Sequence, residues 1–147
     1  MTKLSDKAFT LLHVEDSELD ARALRRALAR LGIEVDVTRA KDGIEALEFL
    51  GTSCHEPTES TQTVILLDIN MPRMNGIEFL KELRANQALR HTPVFVLTTS
   101  ERRSDIHNAY AHNVAGYIVK PMDSNVFHER IEMWQQFMSV IELPCAA

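Results

Sequence analysis

A chain of 147 residues, 45% of them hydrophobic and 25% charged, has the size and composition of one globular domain and argues against disorder. Its net charge of −5 provides no basic field for nucleic acid, and no nucleic-acid-binding motif is present. No apolar run reaches the ~18 residues of a membrane span, and the N-terminus lacks a signal peptide's apolar core, so we expect a cytoplasmic protein without a membrane partner.

Five short segments have the composition of β-strands: residues 9–14, 34–40, 63–68, 93–99 and 116–120. Four are almost entirely apolar, which is typical of parallel strands covered on both faces, whereas residues 34–40 (EVDVTRA) alternate and predict an edge strand. Helical periodicity separates the strands at residues 17–31, 43–50, 75–86, 104–112 and 124–141. This alternation predicts right-handed βαβ units and an α/β fold, a doubly wound parallel sheet of five strands with five helices.

The polar connection at residues 51–63 is near the upper end of ordinary loop lengths, about 12–15 residues, and such loops are often functional or mobile. Its Cys54 and the tail residue Cys145 belong to no CxxC or Cys/His cluster. We therefore expect two free thiols in a reducing compartment.

The last predicted helix has more apolar surface than one seam against a sheet requires. Phe127, Ile131, Trp134, Met138 and Ile141 recur at spacings of four and three, and Val126, Met133, Phe137 and Val140 lie beside them. The surplus indicates either a thick core or a homodimer interface in the C-terminal helix region. We favour the interface, because the last of these residues extend beyond a short sheet.

Polar side chains follow four of the strands: Glu15 and Asp16 the first, Asp68 the third, Thr98 and Thr99 the fourth, and Lys120 with Pro121 the fifth. In parallel sheets the carboxyl ends of the strands share one edge, where ligands bind. Crowded carboxylates raise one another's pKa unless a divalent cation and the lysine neutralise them. Oxygen-only ligands are typical of Mg²⁺, so the pattern predicts a magnesium site to which Asn70 adds its backbone carbonyl.

The same chemistry prepares Asp68 as a nucleophile. A carboxylate beside Mg²⁺ can accept a phosphoryl group while Lys120 balances the charge of the transferring oxygens and Thr98 donates a hydrogen bond to one of them. Pro72 ends the strand so that the chain can turn.

In this order the motifs resemble those of response-regulator receiver domains of two-component signalling. The resemblance covers roughly residues 9–140 and rests on Glu15–Asp16, on DINMP (68–72) with the following Gly76, on Thr98 and on GYIVKP (116–121). It implies the flavodoxin-like fold with strand order 2-1-3-4-5. It also implies a signalling phosphoacceptor that catalyses only its own phosphorylation and dephosphorylation.

The resemblance also implies a role for each residue of the predicted site. Asp68 takes the phosphoryl group from the phosphohistidine of a sensor histidine kinase. Asp16 and Asp68 bind Mg²⁺ by their side chains, Glu15 through water and Asn70 by its carbonyl. Thr98 and Tyr117 form the switch pair, and the Lys120–Pro121 bond is cis in relatives.

We expect no effector segment after the last helix, and in this the chain resembles stand-alone receivers: a single domain, 1–147, with its core at 9–141 and a tail at 142–147. The chain also resembles the receivers that are paired with bacteriophytochrome histidine kinases. Three features carry this resemblance: the loop at 51–63, TTS at 98–100 and the terminal ELP. Thr99 stands where many relatives have alanine, and Asn70 and Ser100 lie where the family tunes dephosphorylation. The resemblance therefore implies that these three positions affect the lifetime of the phosphorylated state.

Two other functions are weighed against the phosphoacceptor. A pseudo-receiver would bind partners without being phosphorylated, but such modules usually lack one of the acidic pair, the acceptor or the lysine. An aspartate-nucleophile phosphatase of the haloacid dehalogenase type needs a second acid two residues after the nucleophile. That position is Asn70, so this function is the weaker alternative.

Several of these residues also have a purely structural interpretation. Ser17 with Asp20 resembles a capping box, Tyr117 suits a core position, and His13 suits a satisfied core position better than a ligand role. The stripe of Arg22, Arg26 and Arg30 on the first helix is either a solvated face or a surface that steers an acidic kinase partner.

Overall fold

The computed structural model describes residues 9–53 and 62–144. Strands and helices alternate along the chain: β1 (Phe9–Val14), α1 (Glu18–Arg30), β2 (Asp36–Ala40), α2 (Gly43–Ser53), β3 (Gln62–Leu67), α3 (Gly76–Ala85), β4 (Val94–Thr98), α4 (Arg103–Ala111), β5 (Gly116–Val119) and α5 (Ser124–Val140). The strands pair in parallel in the order β2-β1-β3-β4-β5. The predicted doubly wound sheet is confirmed, with β2 at one edge as its alternating sequence indicated.

The predicted loop at residues 51–63 is partly taken up by its neighbours, since α2 continues to Ser53 and β3 begins at Gln62. The remainder with Cys54, and the tail residue Cys145, lie outside the described residues, so the loop's role and the two free thiols stay predictions. Within the described ranges, every helix is too short or too polar to cross a bilayer.

The apolar runs of the strands supply both faces of the sheet, because successive side chains on a strand point to opposite sides. Leu12, Val14, Ile65 and Leu67 belong to a first core cluster, and Leu11, Val64 and Leu66 belong to a second one on the other face. Helices α2, α3 and α4 cover the first cluster, whereas α1 and α5 cover the second. Each fully buried side chain of this kind stabilises the fold by about 1.5–3 kcal/mol.

Strand β5 corrects one expectation. Its sequence predicts a strand covered on both faces, but all four of its residues are only half-buried. Among the described strands, β5 lies at the second edge of the sheet and pairs with β4 alone.

The core interpretation of α5 describes one side of the helix, and the interface interpretation stays a prediction. Phe127, Ile131, Trp134 and Met138 are buried in the second cluster. Met133, Phe137 and Val140 are 68%, 46% and 77% exposed, and we call them the exposed α5 strip. Packing against the sheet therefore accounts for one side of the helix only.

His13 is buried in β1 as predicted, but it is not satisfied, because its Nε2 has no hydrogen-bond partner. Burial lowers the pKa of His13 to about 3, and the positive charges of Lys120, Arg39 and Arg25 act in the same direction. His13 is therefore a neutral core residue.

Arg84 of α3 donates hydrogen bonds to the backbone of two connections, the one before β4 and the one before β5. Its Nε donates to His112 O at 2.8 Å, its Nη1 to Arg90 O and Thr92 O at 2.8 Å each, and its Nη2 to Asn113 O at 3.1 Å. One half-buried guanidinium thus ties the connection before β4 and the connection before β5 to α3.

Replacing Arg84 by methionine is expected to lower the free energy of unfolding by at least about 2 kcal/mol, because four backbone carbonyls lose a charged donor. Urea denaturation measures the loss. Arg90→Met is the matched control, since its side chain is exposed and only its carbonyl contacts Arg84; it should stay within about 0.5 kcal/mol of the wild type. Equal losses in the two variants would contradict this role.

Candidate functional site

The carboxyl ends of the central strands converge on one edge of the sheet. Val14 is in register with Leu67, and Thr98 with Val119, so Glu15 starts level with Asp68, and Thr99 starts level with Lys120. Asp68 N donates to Val14 O at 3.0 Å, and Lys120 N donates to Thr98 O at 2.7 Å. The backbone ladder therefore continues into the residues that carry the predicted chemistry.

Three carboxylates meet at this edge. Oxygens of Glu15, Asp16 and Asp68 all lie within 4.8 Å of one another. Glu15 is fully buried and Asp68 is 8% exposed, whereas Asp16 is exposed. Asn70 is exposed in the loop that follows Asp68. Such a set of hard oxygen ligands, open to solvent on one side, fits a hydrated divalent cation.

Lys120 is nearly buried, with 9% of its side chain exposed, and its Nζ donates to two carboxylates. One is Glu15, and the other is Asp20 of α1, whose Oδ2 lies 3.2 Å away. Burial lowers the pKa of Lys120, but the attraction of Glu15, Asp68 and Asp20 outweighs burial and leaves that pKa raised. The ammonium therefore remains charged at neutral pH.

Opposed effects act on the pKa of Glu15. Burial raises its pKa, the Lys120 ammonium lowers it, and the neighbouring Asp68 raises it again. The net shift is upward, because a carboxylate removed from water and placed beside another carboxylate is costly to ionise. A further cation in the cluster would offset that cost.

Asp20 is a site residue that sequence analysis placed only in a capping box. Ser17 Oγ does cap α1 by accepting from Asp20 N at 3.3 Å. The Asp20 carboxylate, however, contacts Lys120 instead of returning to the cap. Its one sequence signal is a position four residues after Asp16, one helical turn into α1.

Arg39 of β2 is a second contributor that sequence analysis missed. Its Nε donates to Glu15 O at 3.0 Å, and its Nη2 donates to Asp16 O at 2.9 Å. Glu15 N also donates to Ala40 O at 2.9 Å. The edge strand thereby fixes the backbone of both residues of the acidic pair.

The chain turns tightly after Asp68. Ile69 N donates to Asp68 Oδ1 at 2.8 Å, and Gly76 N donates to Ile69 O at 2.9 Å. A Cβ at Gly76 would lie 2.4 Å from Asp68 O, so only glycine allows α3 to begin this close to the end of β3. Asn75 then caps α3 in a reciprocal capping box with Glu78.

Thr98 and Tyr117 both contact the backbone of Ser100. The buried Thr98 Oγ1 accepts from Ser100 N at 3.3 Å, and Tyr117 OH donates to Ser100 O at 2.9 Å. Ser100 Oγ in turn donates to Asp105 Oδ2 of α4 at 2.5 Å. The Tyr117 ring also packs against the first core cluster, and burial raises its pKa. The two residues of the predicted switch pair are therefore linked through one residue that also contacts α4.

The Lys120–Pro121 bond corrects a second expectation. The described residues contain no cis peptide bond, so this bond is trans. The trans form is favoured in X–Pro bonds by about 0.5–1 kcal/mol, and the hydrogen bond from Lys120 N to Thr98 O forms with it.

Comparisons with known proteins agree with this architecture. A family model described as the response regulator receiver domain matches residues 11–132. Chemotaxis protein CheY1 of Helicobacter pylori is 35% identical over 123 residues, which cover 84% of this chain and 94% of that protein. Response regulator Rcp1 of Synechocystis is 30% identical over 147 residues, which cover 99% of this chain and 100% of that protein.

Two solved structures give the same result. The phosphorylated cyanobacterial phytochrome response regulator RcpA has a TM-score of 0.81 and 30% identity, over 94% of this chain and 99% of that one. The Mn²⁺-bound form of Rcp1 has a TM-score of 0.78 and 29% identity, over 92% and 99%. The chain therefore belongs to the response regulator receiver domain family, signalling proteins of two-component systems that histidine kinases phosphorylate.

Proposed function

We propose that Asp68 is the phosphoacceptor of this receiver and takes its phosphoryl group from a sensor histidine kinase. The observation that carries the proposal is the approach of Glu15, Asp16 and Asp68 to within 4.8 Å beside Lys120. A carboxylate oxygen of Asp68 attacks phosphorus, the P–N bond of the phosphohistidine breaks, and the imidazole leaves with the bonding electron pair.

The donor set supports Mg²⁺ as the cation of this site. Asp16 and Asp68 would bind it by their side chains, Asn70 by its backbone carbonyl and Glu15 through water. Mg²⁺ supplies the positive charge that lets the carboxylates and the phosphoryl oxygens coexist. Receiver domains bind Mg²⁺ in an acidic pocket, and the Mn²⁺-bound structure of Rcp1 adds support.

The protein's own groups act on the phosphoryl oxygens and transmit the change. The Lys120 ammonium balances their charge, and the Thr98 hydroxyl donates to one of them. Because Thr98 accepts from Ser100 N, rotation of its hydroxyl acts on the residue that binds Tyr117 and α4. Tyr117 is thereby proposed as the second member of the switch, which alters the surface formed by α4 and β5.

Phosphotransfer tests the proposal. A purified, autophosphorylated histidine kinase is mixed with the protein in Mg²⁺ or in EDTA, and radiolabel is followed on both. We expect label on this chain in Mg²⁺ only. Absence of label from both a kinase and acetyl phosphate would favour the pseudo-receiver, whereas the phosphatase alternative has no acid at Asn70 to protonate a leaving group.

Lys120→Ala is expected to accept phosphate from acetyl phosphate but to lose the conformational response. Without the ammonium, the phosphoryl oxygens lack the charge that draws β5 toward the site. Amide NMR signals of α4 and β5, recorded before and after phosphorylation, measure the response. Lys81→Ala, at an exposed position of α3, is the control and should shift as the wild type does; the same shift in Lys120→Ala would count against the switch.

A bacteriophytochrome is the proposed kinase class. Support comes from the similarity to RcpA, a cyanobacterial phytochrome response regulator. Leu19 precedes Asp20 on α1, and Met122 follows Lys120 by two residues; both are exposed and suit a docking surface for the kinase. Arg22 and Arg26, further along α1, are exposed as well and would steer an acidic partner. Phosphotransfer profiling against phytochrome and other kinases tests this, and a clear preference for another kinase would reject it.

A homodimer through the exposed α5 strip is proposed as the solution state. Met133, Phe137 and Val140 are solvent-exposed apolar side chains on one helix, and Phe137 continues into the aromatic contact with Phe95. Light scattering at micromolar concentration checks the state. One species of 16.7 kDa would refute the dimer.

A further inference from the structure

The ammonium of Lys120 lies between two carboxylates of different character. Glu15 is fully buried, whereas the Asp20 side chain on α1 is 44% exposed. Among the described residues, the side-chain hydrogen bonds of Lys120 go to these two and none goes to Asp68. Lys120 is therefore held on the α1 side of the cluster before any phosphoryl group arrives.

A phosphoryl group on Asp68 would add up to two negative charges and three strong acceptors beside this ammonium. Breaking the contact with Glu15 would leave a fully buried carboxyl group without its donor, which is strongly unfavourable. Water can solvate the half-exposed Asp20, so separating that pair costs little. Asp20 is consequently the partner that Lys120 can exchange for a phosphoryl oxygen.

We propose that Asp20 is a positioning residue that acts through Lys120 and slows phosphorylation by competing for its ammonium. The inference rests on the proposed role of Asp68 as phosphoacceptor and goes beyond it by assigning a function to α1. With acetyl phosphate as donor, the P–O bond to acetate breaks, the bond from Asp68 Oδ to phosphorus forms, and acetate leaves with the electron pair. Asp20 forms no bond in this step.

Asp20→Asn tests the competition while keeping the helix cap, which uses Asp20 N and not its carboxylate. The full chain is labelled with subsaturating acetyl phosphate at saturating Mg²⁺, and the gain of one phosphoryl group is followed by mass spectrometry. We expect labelling about two- to fivefold faster than in the wild type, the range that a half-exposed ion pair supports. Asp20→Glu, which keeps the charge, should stay closer to the wild-type rate.

Glu18→Gln is the matched control. Glu18 is also an acid in the first turn of α1, is 66% exposed and pairs with Arg22 instead of Lys120. Glu18→Gln removes one negative charge from the same end of α1 as Asp20→Asn does. It therefore reports how the loss of a charge near the site affects the labelling rate without the contact to Lys120. Equal acceleration in Asp20→Asn and Glu18→Gln would overturn the proposal.

A double-mutant cycle tests whether Asp20 acts on phosphorylation through Lys120. In a Lys120→Ala background, Asp20→Asn should no longer change the labelling rate, because the residue through which it acts is absent. A change of the same size in both backgrounds would overturn the proposal.

A second measurement does not depend on phosphorylation. The side-chain ammonium signal of Lys120 in a ¹⁵N-labelled sample without Mg²⁺ should shift in Asp20→Asn and stay in place in Glu18→Gln; an unmoved signal in Asp20→Asn would overturn the contact. If the wild type takes no label from acetyl phosphate, the proposed function fails instead, and this signal alone decides whether Asp20 holds Lys120.

Discussion

Asp68→Asn is expected to abolish labelling by acetyl phosphate in Mg²⁺. The substitution keeps the shape of the side chain and an oxygen that can accept from Ile69 N, so the turn after β3 should persist. It removes the anionic oxygen that attacks phosphorus, and an amide is not a comparable nucleophile. Intact-mass spectrometry should therefore show the gain of one phosphoryl group in the wild type and no gain in the variant.

Asp36→Asn is the control for this experiment. Asp36 is an exposed aspartate at the start of β2, at the opposite end of the sheet from the acidic cluster. Its replacement changes the net charge equally and should leave labelling at the wild-type rate. Labelling of Asp68→Asn at the wild-type rate would show that another side chain is the acceptor.

The positions of Asp68, Thr98 and Lys120 can be predicted because each stands at the end of an apolar run. Alternation of such runs with helical periodicity fixes a parallel sheet, and a parallel sheet brings those ends to one edge. The buried Glu15 and the nearby Asp68 follow from the same rule. This part of the site depends on topology alone, so the pattern of one sequence is sufficient.

The partners of Lys120 and of the acidic pair are not predictable in this way. Asp20 lies 100 residues from Lys120 and Arg39 lies 24 from Glu15, and both act through side-chain rotamers. In the sequence alone, an acid at the start of a helix, such as Asp20, is explained by helix capping. An arginine in an edge strand, such as Arg39, is explained by exposure to solvent. Only packing of α1 and β2 against β1 reveals that they serve the site.

The apolar sequence of β5 misleads for a related reason. Ile118 and Val119 read as fully covered, but burial depends on what lies beside the edge strand, and α4 and α5 cover it only in part. Met133 and Phe137 of the exposed α5 strip line the same open groove as β5. A hydrophobic pattern shows which surface of an element is apolar, but it does not show which other element covers that surface. Covering of the exposed α5 strip by a second copy of this chain is therefore a proposal.

Gly76→Ala is expected to be the most damaging small substitution near the site. The new Cβ would meet Asp68 O at 2.4 Å and Ile69 Cα at 2.9 Å, and both are backbone atoms that cannot rotate away. Relief requires α3 to move from the end of β3, which strains the hydrogen bond from Gly76 N to Ile69 O. Overpacking of this kind costs about 1–3 kcal/mol. Urea denaturation should show a loss of that size.

The displacement of α3 in Gly76→Ala should also slow phosphorylation, because the new Cβ pushes on the carbonyl oxygen of Asp68, the proposed acceptor. Labelling by acetyl phosphate, normalised to the folded fraction, should fall severalfold in Gly76→Ala. Gly43→Ala provides a graded comparison. Its Cβ would meet Met74 Cγ at 2.7 Å and Phe79 Cβ at 3.0 Å; both are side-chain atoms and the Met74 side chain can move, so the loss should be smaller than in Gly76→Ala.

Gly51→Ala completes the series, because nothing lies within 4 Å of its Cβ and alanine favours helix α2 by up to about 1 kcal/mol. We expect stability to fall in the order Gly51→Ala, Gly43→Ala, Gly76→Ala. If Gly76→Ala were not the least stable of the three, the close approach of α3 to β3 would not be what requires glycine at this position.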